Sequence, residues 1–303
     1  MDGLKEYLGG ADEIVGIVGD ASIVVTQLAP FSAGIMDRLP NLRLIAVSRG
    51  GPVNIDTAAA RERKILVVNT PGRNASAVAE FTLGAILAET KGHESLRRGD
   101  LYRADLTGSE LSEMTVGVVG YGHVGAKVVR ILRAFGCKVL VCDPCVQLSV
   151  DDLKDGIEHV SLDRIIADSD VVTLHARVTE ETRGFFGGDQ FAAMKKGAYF
   201  VNTARGPLVD YAALTDALRS RHLRGAAIET FGVEPVPPDW ELLTLDNVTL
   251  TPHIAGASVK TVKFAHEAGG RGGAAFPRWG TAVEPLLTHA PPSSELNSSP
   301  WNL

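Results

Sequence analysis

The sequence predicts an α/β protein built on parallel β-sheets, and three observations lead to this fold class. Apolar, strand-like runs alternate with helix-like segments along most of the chain, as in successive βαβ units. A glycine-rich turn joins one apolar run to a helical pattern near the middle of the chain. The length of 303 residues suggests two domains, and a hydrophobic content of 45% can bury a sizeable core.

The first part of the chain carries three predicted strands, at residues 22–27, 42–47 and 65–69. Short helices are predicted at 31–39 and 57–63, and a glycine-rich loop follows the second strand. A longer helix is expected from Ala75 to about Lys91, because apolar side chains recur there at helical spacing. The second part begins with a strand at Thr115. Its later strands are expected at 139–141, 171–175, 198–202, 225–229 and 248–251.

The strand that starts at Thr115 ends in the pattern Gly120-x-Gly122-x-x-Gly125. The first glycine permits a tight turn, the second lets backbone approach a pyrophosphate, and the third lets the helix pack closely on the strand. The helix N-terminus adds free N–H groups and a positive dipole end. Asp143 lies 18 residues after Gly125, where a carboxylate can accept from the ribose hydroxyls of NAD and would repel the 2′-phosphate of NADP. The pattern predicts an NAD site; the alternative is a glycine-rich turn that only packs.

Composition and charge exclude several other classes of protein. The net charge of −6 and the pI near 5.8 argue against a nucleic-acid surface. No apolar run approaches the length of a membrane span, and the N-terminus lacks a signal-peptide pattern. Three cysteines are too few for a disulfide framework, so we expect a cytoplasmic protein. The spacing Cys142-x-x-Cys145 stands without a second ligand pair, so no metal site is expected.

Three polar residues each follow a predicted strand of the second part: Arg205, Glu234 and His253. Loops at the carboxyl ends of parallel strands face the ligand crevice, so these side chains could converge on one end of the dinucleotide. Taken singly, each has an ordinary alternative: a salt-bridge arginine, a solvated loop acid and a satisfied loop histidine.

Together these elements resemble the NAD-dependent D-isomer-specific 2-hydroxyacid dehydrogenase family, which includes the phosphoglycerate dehydrogenases. The resemblance rests on Gly120–Gly125 with Asp143, Leu174-His175 with Thr182–Gly184, Asn202–Gly206, Glu234-Pro235, Pro252-His253, and Asn69–Gly72 with Val78–Glu80. It implies a Rossmann-type doubly wound parallel sheet inserted in a smaller flavodoxin-like substrate domain that is truncated. The implied boundaries are 1–86 for the substrate domain, 87–257 for the NAD-binding domain, and 258–303 for the start of a return helix followed by a tail.

The resemblance also implies roles for individual residues. His253 and Glu234 would be the acid–base pair that interconverts a 2-hydroxy acid and its 2-keto acid, and Arg205 would bind the carboxylate and carbonyl. The substrate would also be held by Arg49, Gly50 and Gly51, although a salt bridge at the domain edge remains an alternative for Arg49. The implied cofactor contacts are Thr70, Gly120, Gly122, His123, Val124, Gly125, Asp143, Ala176, Thr203 and Glu229. Glu229 stands where the family usually has Asp, and Arg177 adds a charge with no assigned role.

The ends of the chain depart from the family. Met1 falls after the family's first strand-and-helix unit, and the glycines and prolines beyond residue 268 favour a disordered tail. Two other functions therefore stay open: an inactive truncated family member, and an NAD-sensing binding protein of the corepressor type. The resemblance further implies a homodimer formed through the helix at 75–91 and an arm-like stretch at 96–111; the alternative is that these apolar residues pack within the monomer.

Overall fold

A computed structural model describes residues 4, 7–91, 108–261 and 263 of the chain. Its described residues form two units, one containing those up to Asn74 and those from Ala257, the other containing Ala75–Gly256. The first boundary thus lies before the helix that begins at Ala75, whereas the sequence suggested residue 86. The reason is that this helix packs on the strands of the second unit.

The first unit contains a three-stranded parallel sheet in the order β1-β2-β3. Its strands are β1 (Ile23–Thr26), β2 (Leu44–Val47) and β3 (Leu66–Asn69), and its helices are α1 (Ala11–Val18), α2 (Ala33–Asp37) and α3 (Thr57–Glu62). Fully buried Phe31, Ile35 and Ile45 belong to its core. Helix α1 was not predicted, because it is short and buries only Ile14.

The second unit contains a seven-stranded parallel sheet in the order β10-β9-β8-β7-β4-β5-β6. Its strands are β4 (Thr115–Val119), β5 (Lys138–Cys142), β6 (Glu158–His159), β7 (Val171–Leu174), β8 (Tyr199–Asn202), β9 (Gly225–Ile228) and β10 (Val248–Leu250). Its helices are α4 (Ala75–Thr90), α5 (Gly125–Ala134), α6 (Val150–Lys154), α7 (Leu162–Asp168), α8 (Gly188–Ala193) and α9 (Tyr211–Arg219). Strands β5 and β6 are added on one side of β4, and β7 to β10 on the other, so the order of addition reverses between β4 and β7, which is the switch point of a doubly wound fold.

The predicted fold class is confirmed, and each predicted strand is present; most have slightly shorter bounds, whereas β5 is one residue longer at each end than the predicted run. Strand β6 was missed because it has only two residues, both exposed, and so carries no apolar signal. Residues 259–261 are helical, but the predicted tail beyond residue 263 and most of the predicted arm lie outside the described residues. Over the described ranges, no helix has both the length and the apolar character to cross a membrane.

The strands are apolar because both faces of the sheet are covered by helices. One face carries a core that includes a cluster of three phenylalanines, Phe186, Phe191 and Phe200. Their ring centroids lie 4.9–5.1 Å apart, and each side chain is at most 1% exposed. Aromatic pairs at this separation add to the stabilisation that burial alone provides.

We predict that Phe200→Ala lowers the free energy of unfolding by about 3–5 kcal/mol, because it leaves a cavity among rings that cannot collapse around it. The matched control is Phe135→Ala at the end of α5, where the side chain is 44% exposed. Urea denaturation followed by circular dichroism measures both. Equal effects of the two substitutions would contradict the assignment of Phe200 to the core.

Candidate active site

The glycine-rich turn after β4 contains two glycines in close contact with neighbouring backbone and one glycine with open space around it. Gly120 has a φ of 98°, and a Cβ built on it would lie 2.6 Å from the carbonyl carbon of His175. A Cβ on Gly125 would lie 2.0 Å from the carbonyl oxygen of Gly120. A Cβ on Gly122 would meet nothing within 4 Å. The first and third glycines are therefore required by the fold, whereas the second leaves backbone exposed to a ligand.

The exposed backbone of this turn suits an anion. The amides of Gly122, His123 and Val124 have no hydrogen-bond partner among the described residues. They stand at the N-terminus of the ten-residue helix α5, whose dipole is positive at that end. Free amides in this position fit the pyrophosphate of a dinucleotide.

Asp143 ends β5 beside the same turn. Its carboxylate accepts hydrogen bonds from the amide of Tyr121 at 2.7 Å and from the amide of Cys145 at 2.9 Å. These two bonds fix the carboxylate next to the glycine turn, and each oxygen keeps a second lone pair. The sequence did not predict a further link: the hydroxyl of Tyr121 donates to Asp152 at 2.9 Å. Burial and the Asp152 hydrogen bond raise the pKa of Tyr121 to about 12.

His175 and Ala176 close the other side of the turn, at the end of β7. The imidazole of His175 is enclosed, and burial lowers its pKa to about 3, so the ring is neutral. Its Nε2 lies 3.1 Å from the hydroxyl of Thr173. The amide nitrogen of Ala176 would lie 2.7 Å from a Cβ on Gly120. These residues therefore shape the turn by close contact. Arg177, which follows them, is exposed.

The loops after β8 and β9 contact each other through their backbones. A Cβ on Gly206 would lie 1.9 Å from the carbonyl carbon of Phe231 and 2.4 Å from the amide nitrogen of Gly232. Only glycine permits this approach, so steric contact requires a glycine at position 206, directly after Arg205. Arg205 itself is exposed, and its Nη1 donates to the carbonyl of Ala204 at 2.7 Å.

Glu234 and His253 form the pair that the sequence placed in successive loops. The Nδ1 atom of His253 lies 2.8 Å from Oε2 of Glu234, and the two side chains are 30% and 33% exposed. The other carboxylate oxygen of Glu234 accepts from the amide of Phe231 at 2.9 Å. The carboxylate is thus held by backbone on one side and orients the imidazole on the other. The hydrogen bond to Glu234 uses Nδ1 of His253 and not Nε2.

Glu229 holds the loop that carries His253. Its carbonyl accepts from the amide of His253 at 3.1 Å, and its Oε1 accepts from the amide of Ala255 at 2.8 Å. His253 has a φ of 55°, a left-handed conformation that costs a non-glycine residue about 1–2 kcal/mol. Two bonds from Glu229 help to hold it there. Glu229 is 2% exposed, and burial raises the pKa of its carboxyl.

The remaining predicted contacts fall in both units. Thr203 follows β8 in the second unit, and its hydroxyl lies 2.8 Å from that of Thr82 on α4, a link with no sequence signal. In the first unit, Thr70 donates its amide to the carbonyl of Arg49 at 2.9 Å. Gly50 and Gly51 lie beside Arg49 in the loop after β2, and a Cβ on either would meet nothing within 4 Å. The carbonyl of Gly50 accepts from the side chain of Asn69 at 2.8 Å.

The fold and the glycine turn together define the class of a dinucleotide-binding α/β protein. A family model described as D-isomer specific 2-hydroxyacid dehydrogenase, NAD binding domain, matches residues 82–255. The chain therefore belongs to the D-isomer specific 2-hydroxyacid dehydrogenase family and carries its NAD-binding domain, as the sequence motifs predicted.

Similar proteins carry related names. The chain is 36% identical over 265 residues to a glyoxylate reductase from Thermofilum pendens, covering 84% of this chain and 78% of that protein. It is 37% identical to a hydroxypyruvate reductase from Thermotoga maritima, with 82% of each chain covered. Among solved structures, D-lactate dehydrogenase from Aquifex aeolicus, complexed with NAD and lactic acid, is 28% identical. That likeness has a TM-score of 0.76 and covers 87% of this chain and 85% of that one.

We predict that the free energy of unfolding of the Glu229→Gln variant increases relative to that of the parent protein as the pH rises. The folded state raises the pKa of Glu229 above its usual 4.5 through burial, so ionisation opposes folding. This cost is absent below about pH 4.5, grows as the pH rises through the raised pKa, and is fully present above it. A neutral amide never incurs the cost.

Urea denaturation of both proteins from pH 4 to pH 8 measures the difference in the free energy of unfolding. Glu62→Gln is the control, because its side chain is 79% exposed and already hydrated. A difference for Glu229→Gln that falls as the pH rises would contradict the direction given for Glu229.

Proposed function

We propose that the protein is an NAD-dependent oxidoreductase that interconverts a 2-hydroxy acid and its 2-keto acid. The observation that carries the proposal is the Glu234–His253 pair, joined at 2.8 Å, on the same sheet as the glycine turn. Both lie in loops at the carboxyl ends of parallel strands, where ligands bind in this class of fold. The relatives named glyoxylate reductase and hydroxypyruvate reductase support small 2-keto acids as substrates.

In this proposal His253 moves the proton. Its Nδ1 is engaged by Glu234, so Nε2 gives a proton to the forming hydroxyl in reduction and takes it back in oxidation. The Glu234 carboxylate accepts from Nδ1 and holds the ring in one orientation. The phenylalanine amide behind Glu234 keeps the carboxylate from turning away.

Arg205 supplies fixed charge in the same site. Its guanidinium is permanently charged and forked, so it can bind the carboxylate and the carbonyl oxygen of the substrate together. It also stabilises the negative charge that develops on that oxygen. Arg49, Gly50 and Gly51, which belong to the first unit, remain substrate contacts predicted by the family resemblance.

The cofactor is assigned to the turn after β4. NAD would supply or accept the hydride in this reaction. The free amides of the turn would hold its pyrophosphate, and Asp143 would accept from the adenosine ribose. Thr70, Ala176, Thr203 and Glu229 are assigned to its nicotinamide end. A homodimer and a cytoplasmic location complete the proposal; the family resemblance supports the first and the three free cysteines support the second.

The direct test is oxidation of NADH, followed at its absorbance maximum, with glyoxylate, hydroxypyruvate and 3-phosphohydroxypyruvate. Turnover of at least one 2-keto acid is expected. NADH binding without turnover of any 2-keto acid would contradict the proposal and favour a binding protein.

We predict that His253→Ala lowers kcat by roughly 10²–10⁴-fold, as the loss of a general acid does, and leaves NADH affinity nearly unchanged. Arg205→Lys should stay strongly impaired, because a point ammonium cannot make the bidentate contact. His222→Ala is the control, since this half-buried histidine bonds the carbonyl of Met194. The values of kcat and KM are measured by steady-state kinetics on the best substrate. A parental kcat in either His253→Ala or Arg205→Lys would refute the role assigned to that residue.

We predict that Asp143→Ala narrows the preference for NADH over NADPH by about tenfold or more, because the repulsion of the 2′-phosphate is lost with the carboxylate. Affinities for both nucleotides are measured by fluorescence titration. Asp151→Ala on the neighbouring helix α6 is the control, since its side chain is 92% exposed. An unchanged ratio in the Asp143 variant, or a parent protein that prefers NADPH, would contradict the role of this carboxylate.

A further inference from the structure

Tyr211 connects two of the loops that carry the proposed catalytic residues. It is the first residue of α9, and Asp210 caps this helix by accepting from the amides of Ala212 and Ala213 at 2.9 and 3.2 Å. The cap fixes the start of the helix and thereby the position of Tyr211. Nothing in the sequence pattern singled out this residue, because an aromatic at the start of a helix is usually packing.

The Tyr211 hydroxyl has partners in both loops. It donates to the carbonyl of Thr230 in the loop after β9. It also accepts from Nδ2 of Asn202 at 3.4 Å, at the end of β8. The same Nδ2 atom donates to the carbonyl of Arg205 at 3.1 Å, and Oδ1 of Asn202 accepts from the amide of Ala204 at 3.1 Å. One hydroxyl thus joins the Arg205 loop to the Thr230 backbone.

The Thr230 backbone leads directly to the acid–base pair. The next amide, that of Phe231, donates to Glu234, whose other oxygen binds the His253 ring. Thr230 is 1% exposed, so no solvent replaces a lost partner for its carbonyl. A shift of this carbonyl would therefore move the amide that holds Glu234.

The Tyr211 ring reinforces the link by packing. Its centroid lies 5.3 Å from that of Trp240 in an edge-to-face arrangement, and 6.5 Å from that of Phe231. Phe231 and Trp240 themselves lie 5.7 Å apart. These two residues flank the segment that contains Glu234, so the tyrosine contacts both ends of it. Burial, together with the nearby Glu234 charge, raises the pKa of the Tyr211 hydroxyl, which therefore remains a donor at working pH.

We propose that Tyr211 is a positioning residue for the acid–base pair: its hydroxyl holds the Thr230–Glu234 segment against the Arg205 loop, and thereby sets how firmly Glu234 engages His253. It contacts neither the substrate nor the cofactor in this account. The proposal rests on the function assigned to Glu234 and His253, and extends it to a residue outside their loops.

The test compares Tyr211→Phe with Thr215→Val in the full-length protein. The first removes the hydroxyl but keeps the ring among Phe231 and Trp240. The second removes a buried hydroxyl one turn further along α9, where Thr215 donates to the carbonyl of Tyr211 at 2.7 Å. Both variants lose a hydroxyl on the same helix, Tyr211 with two hydrogen bonds and Thr215 with one, so a merely structural effect would be seen in both.

The first measurement is the NMR signal of the His253 Nδ1 proton in histidine-labelled protein, assigned from a His253→Gln variant. This proton lies in the 2.8 Å bond to Glu234, so in Tyr211→Phe its signal is expected to move upfield and to exchange faster with water. In Thr215→Val it should not move. An unmoved signal in Tyr211→Phe would overturn the proposal, whatever happens to its melting temperature.

The second measurement is the steady-state kinetics of the best 2-keto acid. Tyr211→Phe should lower kcat by roughly threefold to tenfold, with KM for NADH within twofold, whereas Thr215→Val should keep both near the parent's values. A parental kcat in Tyr211→Phe would overturn the proposal. If the parent turns over no 2-keto acid, the proposed function fails, while the Nδ1 proton signal still decides the role of Tyr211.

Discussion

The parallel register of β8, β9 and β10 is the constraint on which the candidate site depends. Asn202 pairs with Ile228, and Leu250 pairs with the same Ile228, so the three strands end level with one another. Their following loops begin at one edge of the sheet and must diverge within a few residues. Arg205, Glu234 and His253 come from these three loops, and strand pairing starts all three loops at the same edge; the contact that the structure shows among them is that of Glu234 with His253.

Strand ends bring the loops together, but finer contacts decide where each functional group stands. Gly206 lets two backbones touch, and Glu229 holds His253 in a left-handed conformation that its side chain disfavours. Glu234 is held by a backbone amide rather than by a mobile side chain. The proposed acid–base pair is therefore held by backbone contacts, although both residues lie in loops.

The sequence predicted the parts of the molecule whose signals are local. Strand periodicity, the spacing of Gly120, Gly122 and Gly125, and polar residues directly after strands depend on neighbours in the chain. The domain boundary before α4 and the link from Tyr211 to Thr230 depend on which side chains meet across the fold, and no spacing rule reveals that. For Glu229 the sequence predicted a place after a strand, but its hydrogen bonds to the loop of His253 are seen only in the structure.

The strand order also separates the proposed nucleotide site from the loops that carry the proposed catalytic residues. The glycine turn and Asp143 follow β4 and β5, whereas the loops of Arg205, Glu234 and His253 follow β8, β9 and β10, on the far side of β7. Substitutions that adapt one side leave the packing of the other largely intact, since distant sites act almost independently. A change of nucleotide preference and a change in the proposed chemistry would therefore involve different strands of one sheet.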